Sequence, residues 1–286
     1  MRQVQLAVLL TAFAILPPAG AEPSPAQRRL THVKSGWNAY QEGRIVEALH
    51  DYTAAVELSP DDPALWYDVG CLHAMNHEPE PAKAAFERAL RLQPRLAEAY
   101  DGLGQYYELR GNFAVARELY ATAASLNPAN PRLVRHLSRI LLQLHEEPAA
   151  RRALQDLVAM DASDMTARYL LGLLALRAGQ PDMAISEFRK VVEHDPDHAQ
   201  AWSGLGLAYA RIGDLERASG AIEHARLLDP ESAGTLTNVG IVAARQERWD
   251  DARAAWQHAL ATDPQFSPAA QNLKTLDALL TSPGRQ

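Results

Sequence analysis

The sequence predicts an all-α solenoid: seven tandem helix-turn-helix units followed by a C-terminal capping helix. Three observations carry this. Proline recurs every 34 residues at Pro60, Pro94, Pro128, Pro196, Pro230 and Pro264, with Ala162 in the one other slot. Alanine occupies every stop of a second 34-residue series: Ala48, Ala82, Ala116, Ala150, Ala184, Ala218 and Ala252. Glycine holds six of the seven stops of a third: Gly36, Gly70, Gly104, Gly172, Gly206 and Gly240, with Ser138 in the fourth. A fixed period kept without insertion or deletion marks units that each touch only their neighbours.

The chain starts with a different composition. Arg2 precedes an apolar run from Val4 to Leu16, Pro17-Pro18 ends that run, and Ala19 and Ala21 put small residues before a cut after Ala21. This is the pattern of a secretory signal peptide, and the run is short for a transmembrane helix. The expectation is an exported protein, periplasmic or secreted, with no stable membrane span after cleavage; retention as an uncleaved anchor is the alternative. Residues 22–28 read as a linker. Cys71 is the single cysteine, so an exported chain has no internal disulfide framework and relies on packing between repeats.

With position 1 at Arg29, the repeats are 29–62, 63–96, 97–130, 131–164, 165–198, 199–232 and 233–266. Large apolar residues at positions 4, 7 and 24, with small ones at 8 and 20, trace the stripes of two amphipathic helices per repeat. Glycine inside a helix costs about 1 kcal/mol relative to alanine. The glycines of position 8 are therefore expected where two helices approach closely, facing the alanines of position 20. Gly43, Gly111, Gly179 and Gly213 mark the turn between the helices. The recurrent proline lacks a backbone donor and ends the second helix. Asp62, Asn130, Asp164 and Ser232 then stand as N-caps of the next repeat. After Phe266, Ser267-Pro268 opens a helix over 267–281 whose Leu273, Leu276, Leu279 and Leu280 are expected to cover the last repeat. Residues 282–286 read as a tail.

The W-x2-L-G pattern of Trp202-Ser203-Gly204-Leu205-Gly206, followed in register by Tyr209, Ala218, Ala225 and Pro230, resembles the tetratricopeptide repeat (TPR) family. The resemblance runs from Arg29 to Phe266. Repeat 4 departs most, with Ser138, Leu157 and Ala162 at usual small, small and proline positions. Repeat 1 has His32 where others carry a large residue at position 4. The resemblance implies a right-handed superhelix whose groove is lined by positions 2, 5, 9, 12 and 13 of the first helices. It implies a protein or peptide partner. Exported bacterial members serve secretion, pilus or outer-membrane assembly, polysaccharide export and cytochrome maturation.

Those positions give three zones. The first is aromatic, with Trp37, Tyr40 and Tyr67 beside Cys71, and reads equally as a binding hot spot or as packing of the end repeats. The second is charged. Equivalent positions of adjacent repeats are expected side by side, pairing Glu98 with Arg132 and Asp101 with Arg135. Arg139 would then face Gln105 with no matching acid, as a candidate for a partner carboxylate. The third zone has Tyr169, an apolar strip of Leu173, Leu207 and Ile241, and a row of Arg177, Arg211 and Arg245. Such a strip beside cations suits an extended or helical peptide that is apolar and carries acidic residues. Arginines near a helix C-terminus also simply complement its dipole. The carboxylate clamp of chaperone-binding relatives is absent, since Val33 and Trp37 stand where that clamp needs lysine and asparagine.

Apolar residues make up 47% of the 286 and charged residues 22%, as in a folding chain. The net charge of −7, with the acids spread along the chain, speaks against nucleic-acid binding. No nucleophile–base–acid set, H-E-x-x-H or haem-attachment motif stands in the sequence, and Gly204-x-Gly206 belongs to the repeat instead of a phosphate loop. The reading is therefore a non-enzymatic envelope scaffold without cofactor, catalytic or metal residues. Two alternatives accompany it: self-association within an envelope assembly, and a metal or redox site at Cys71, His73 and His77. Only residues three or four apart share a helix face, so Cys71 and His73 point differently.

Overall fold

The computed structural model describes residues 22–281, which form fifteen α-helices and no strand. In chain order these are α1 (Pro25–Gln41), α2 (Ile45–Leu58), α3 (Pro63–Met75), α4 (Pro79–Leu92), α5 (Ala97–Leu109), α6 (Phe113–Leu126), α7 (Pro131–Gln143), α8 (Glu147–Met160), α9 (Met165–Arg177), α10 (Pro181–His194), α11 (Ala199–Ile212), α12 (Leu215–Leu228), α13 (Ala233–Arg245), α14 (Trp249–Thr262) and α15 (Ser267–Thr281). Each odd-numbered helix from α1 to α13 is the first helix of a repeat and the next is its second. The signal-peptide reading of 1–21 and the tail of 282–286 lie outside the described residues. The chain divides after Ala150 into two compact halves.

Local chemistry sets the helix boundaries. The carboxylate of Asp62 accepts from the N–H groups of Ala64 and Leu65, and Asn130, Asp164 and Ser232 cap α7, α9 and α13 in the same way. His198 caps α11 through its ring, accepting from the Ala201 N–H, a cap that its residue type did not announce. At the N-terminus, Ser24 and Gln27 form a capping box, so α1 begins at Pro25, inside the stretch expected to be a linker. The interhelix turn needs a left-handed residue. Glycine supplies it four times, whereas His77, His145 and Glu247 adopt φ of 61°, 57° and 60° in the remaining repeats.

The glycines of position 8 are needed, but for a different neighbour from the one expected. A Cβ added at Gly36, Gly70, Gly104, Gly172 or Gly240 would fall within 2.3–2.7 Å of the aromatic ring at position 24 of the same repeat: Tyr52, Phe86, Tyr120, Phe188 or Trp256. At Gly206, opposite the smaller Ile222, the nearest atoms instead include the backbone of the position-20 alanine, at the Ala218 carbonyl. The phenylalanines are clamped on both faces. Phe86 lies between Gly70 and Gly102, and Phe188 between Gly172 and Gly204, the second glycine coming from position 6 of the following repeat. Where the ring is a tyrosine, position 6 of the following repeat holds a polar residue instead, Asp68 beyond Tyr52 and His136 beyond Tyr120.

Position 4 ties neighbouring repeats together. Trp66 and Trp202 donate their indole N–H to the carbonyls of Pro60 and Pro196 at 2.8 Å, and the Tyr100 hydroxyl donates to the Pro94 carbonyl. Arg168 continues this series, with its Nε donating to the carbonyl of Ala162 at 2.8 Å and Nη1 to Glu187. The turn lacking proline thus has the same kind of tether as the turns at Pro60, Pro94 and Pro196, and the helix pattern runs through it without a break. The cap α15 packs on α14 and buries Ala269 and Leu276, with Leu273 partly covered. Leu279 and Leu280, expected on the same face, remain exposed.

Candidate functional site

Within each half, the first helices of successive repeats touch one another: α3 meets α5 and α5 meets α7, and α11 meets both α9 and α13. Their positions 5, 9 and 12 therefore form a continuous face in each half.

In the N-terminal half this face is aromatic, then charged, and its polar groups satisfy one another. Trp37 and Tyr40 of α1 have ring centroids 5.5 Å apart and rest half-buried on the core around Tyr52. Tyr67 is half-buried with its ring 5.9 Å from Phe86, and burial raises its hydroxyl pKa. Asp101 is buried on α5. His136 Nδ1 lies 2.5 Å from one of its oxygens, while Gln105 donates to the other at 3.0 Å and Arg132 stands 3.7 Å away. Arg132 therefore turns to Asp101 instead of the expected Glu98.

Arg139 corrects the sequence reading more sharply. It does have an acid: its guanidinium grips both oxygens of Glu108, with Nη2 to Oε2 at 2.6 Å. Glu108 also accepts from the Tyr120 hydroxyl at 2.7 Å. Burial pushes the Glu108 carboxyl up, and the hydrogen bonds from Arg139 and Tyr120 outweigh it, holding the group below the usual carboxylate range. The partner was missed because Glu108 sits one helical turn along α5, at position 12, and a long arginine reaches diagonally instead of straight across.

The surroundings of Cys71 do not suit a metal or redox site. Burial pushes its thiol up to about 12, whereas the thiolate is the form that binds metal or reacts. His73 Nδ1 lies 2.6 Å from Glu78, and His77 stands in the left-handed turn. Among the described residues no three histidine, cysteine or acidic side chains converge as metal ligands.

The C-terminal half differs. Leu173, Leu207 and Ile241 stand in register on α9, α11 and α13, each only partly buried, with Tyr169 half-buried at the near end. Arg177, Arg211 and Arg245 are exposed one turn further along the same helices. Arg177 is engaged in an interaction of its own. Among the described residues, Arg211 and Arg245 take part in no ion pair or side-chain hydrogen bond. Beyond them, Ala244, Trp249, Trp256, Asn272, Thr275, Leu276, Ala278 and Leu279 line an open apolar cleft of about 370 Å³ between α13, α14 and α15. Its residues on α15 extend the 34-residue register, so sequence could have indicated it. Leu279 follows Arg177, Arg211 and Arg245, Thr275 follows the apolar strip, and Ala278 follows Leu176, Ala210 and Ala244. No described helix is long and apolar enough to cross a membrane.

This architecture defines a class, the helical-repeat proteins whose successive first helices build an extended face. Comparison with known proteins specifies it further. The tetratricopeptide repeat profile matches residues 97–130, the third repeat as delimited above, and the profile of the cilia and flagella-associated protein 70 C-terminal domain matches 133–264. The chain is 26% identical over 153 residues to anaphase-promoting complex subunit 3 of Schizosaccharomyces pombe. It is 28% identical over 92 residues to the photosystem I assembly protein Ycf3 of Rippkaea orientalis. Those alignments cover 54% and 31% of this chain, and 23% and 53% of the respective relatives. Among solved structures it is similar to YrrB, described as a TPR protein with an unusual peptide-binding site, at TM-score 0.61 and 29% identity over 65% of this chain and 95% of that one. The C-terminal part of a TPR protein from Cytophaga hutchinsonii matches in fold, at TM-score 0.62 and 15% identity over 84% of this chain and 98% of that one. The repeats are thus similar to tetratricopeptide repeats, in sequence at residues 97–130 and in fold to the solved TPR proteins.

Proposed function

We propose that this protein is an exported, non-enzymatic scaffold of the cell envelope that binds segments of protein partners along the first-helix face of its repeats. One observation carries the reading: apolar side chains at the same repeat position, Leu173, Leu207 and Ile241, remain partly open to solvent in three consecutive repeats. A monomer gains nothing from leaving such a strip open, whereas a partner segment laid across the helices would cover it. The likeness to a peptide-binding TPR protein supports the same use of the fold. Export rests on the pattern of the first 21 residues.

Site-specific photo-cross-linking in native cells tests binding. A photoreactive residue at Trp37, Tyr67, Leu207 or Ile241 is expected to give adducts that one at Glu223, exposed on the second helix α12, does not. Absence of adducts from all four face positions rejects the scaffold reading. Fractionation with mass spectrometry of the mature N-terminus tests export; a cytoplasmic chain retaining Arg2 rejects that part.

A further inference from the structure

We propose that the face of repeats 6 and 7 and the cleft under α15 together form one recognition site for an extended acidic segment ending in a large apolar anchor. This deepens the partner-binding reading and rests on it. The anchor residue would fill the cleft floored by Trp249, Trp256 and Leu276, and two carboxylates of the segment would meet Arg245 and Arg211.

Three observations combine. First, Arg211 and Arg245 are exposed without an acid, whereas Arg132 and Arg139 on the corresponding face of the other half are each occupied by a carboxylate. A partner carboxylate is thus the one complement these two cations lack. Second, the repeat register places Leu279 next after Arg211 and Arg245, so the cleft terminates the same row. Its volume of about 370 Å³ lies within the ~300–1,000 Å³ of small-ligand pockets and accommodates a leucine or phenylalanine side chain. Third, the spacing selects the backbone. Packed helices lie about 8–10 Å apart. A polyproline II segment returns to the same face every three residues, after about 9 Å. Acid, acid and anchor therefore fall three residues apart in the segment, one for each of α11, α13 and α15.

The probes are two fluorescein-labelled peptides, Gly-Asp-Ser-Pro-Asp-Ser-Pro-Leu-Gly and the same residues in reverse order, with controls that carry lysine for aspartate or glycine for leucine. Binding to the full chain is followed by fluorescence anisotropy and by the change in total tryptophan emission, compared with that of a Trp249→Phe variant. At least one order is expected to bind, with the lysine control silent. Arg211→Glu with Arg245→Glu is expected to weaken binding at least about tenfold, and Leu279→Ser to weaken the leucine peptide but not its glycine control. All three side chains are exposed, so circular dichroism should be unchanged. Arg91→Glu with Arg95→Glu, two exposed arginines elsewhere without ion pairs among the described residues, should leave binding intact. The site is overturned if both orders bind more weakly than about 1 mM, if the lysine control binds equally, or if the Arg91/Arg95 control weakens binding as much. Adducts from Trp37 or Tyr67 with no peptide binding would reject this site and leave the scaffold reading standing.

Discussion

Replacing Gly204 by alanine should destabilise the protein relative to the same exchange at Gly220, and the structure indicates by how much. In a helix interior, alanine is favoured over glycine by about 0.8–1.0 kcal/mol. Gly220 on α12 has open space around its missing Cβ, so Gly220→Ala should gain about that amount. A Cβ at Gly204 would lie 2.6 Å from Cζ, 2.9 Å from Cε2 and 3.0 Å from Cε1 of Phe188. Favourable carbon contacts are about 3.5–4.0 Å. The ring is fully buried and cannot retreat, because Gly172 backs its other face and a Cβ there would also fall at 2.6 Å. Overpacking of this kind costs about 1–3 kcal/mol. Both variants make the same chemical exchange, so unfolded-state effects nearly cancel and the two should differ by about 1–3 kcal/mol. Solenoids need not unfold in one step, so urea midpoints should be paired with amide exchange in α9 to α12. In a Phe188→Leu background the Gly204→Ala penalty should shrink, which a double-mutant cycle measures. Equal midpoints for the two alanine variants would refute the ring-clamp argument.

Asp68 should make stability depend on pH. Burial, with a further push from Asp62, raises its carboxyl to about 8, and near it the buried Tyr52 hydroxyl has no hydrogen-bond partner among the described residues. Between about pH 4 and 8 the folded state holds a proton the unfolded state releases, so stability falls by up to about 1 kcal/mol per pH unit as pH rises and levels off above 8. Asp68→Asn should flatten that slope in urea midpoints taken at pH 5 to 8. At the left-handed turn residue Glu247, with φ of 60°, glycine should stabilise by about 1 kcal/mol, seen as a higher melting temperature. Ala162→Pro should add about 0.4–1 kcal/mol, because Ala162 donates no backbone hydrogen bond and the other turns of this kind carry proline; a lower midpoint would show a turn of different shape.

The fold was legible because its signals repeat. A proline that stops one helix is ambiguous, but six at one spacing, with side-chain caps two positions after Pro60, Pro128, Pro196 and Pro230, mark helix ends along the chain. The candidate site was legible only in part. Leu173, Leu207 and Ile241 form the strip their register implied, because that register alone decides which residues of adjacent helices stand side by side. Arg139 could not be assigned correctly, since its Glu108 partner lies one turn away on α5. The cleft beside Trp249 was not foreseen because α15 was read as a cover whose leucines all turn inward.

From the sequence alone follow the number of repeats, the helix ends, the small residues at the crossings and the identity of the surface positions, all set by local propensities and a 34-residue period. Tertiary structure decided which charges are already spent on each other. Arg139 and Arg211 are the same residue type one turn apart on equivalent helices, yet one is neutralised by Glu108 and the other is open. The difference lies in the reach of a neighbouring side chain across a helix interface, a distance that spacing along the chain does not contain. The same holds for the glycines: periodicity marked them, and packing showed that an aromatic ring, more than the facing alanine, keeps a Cβ out.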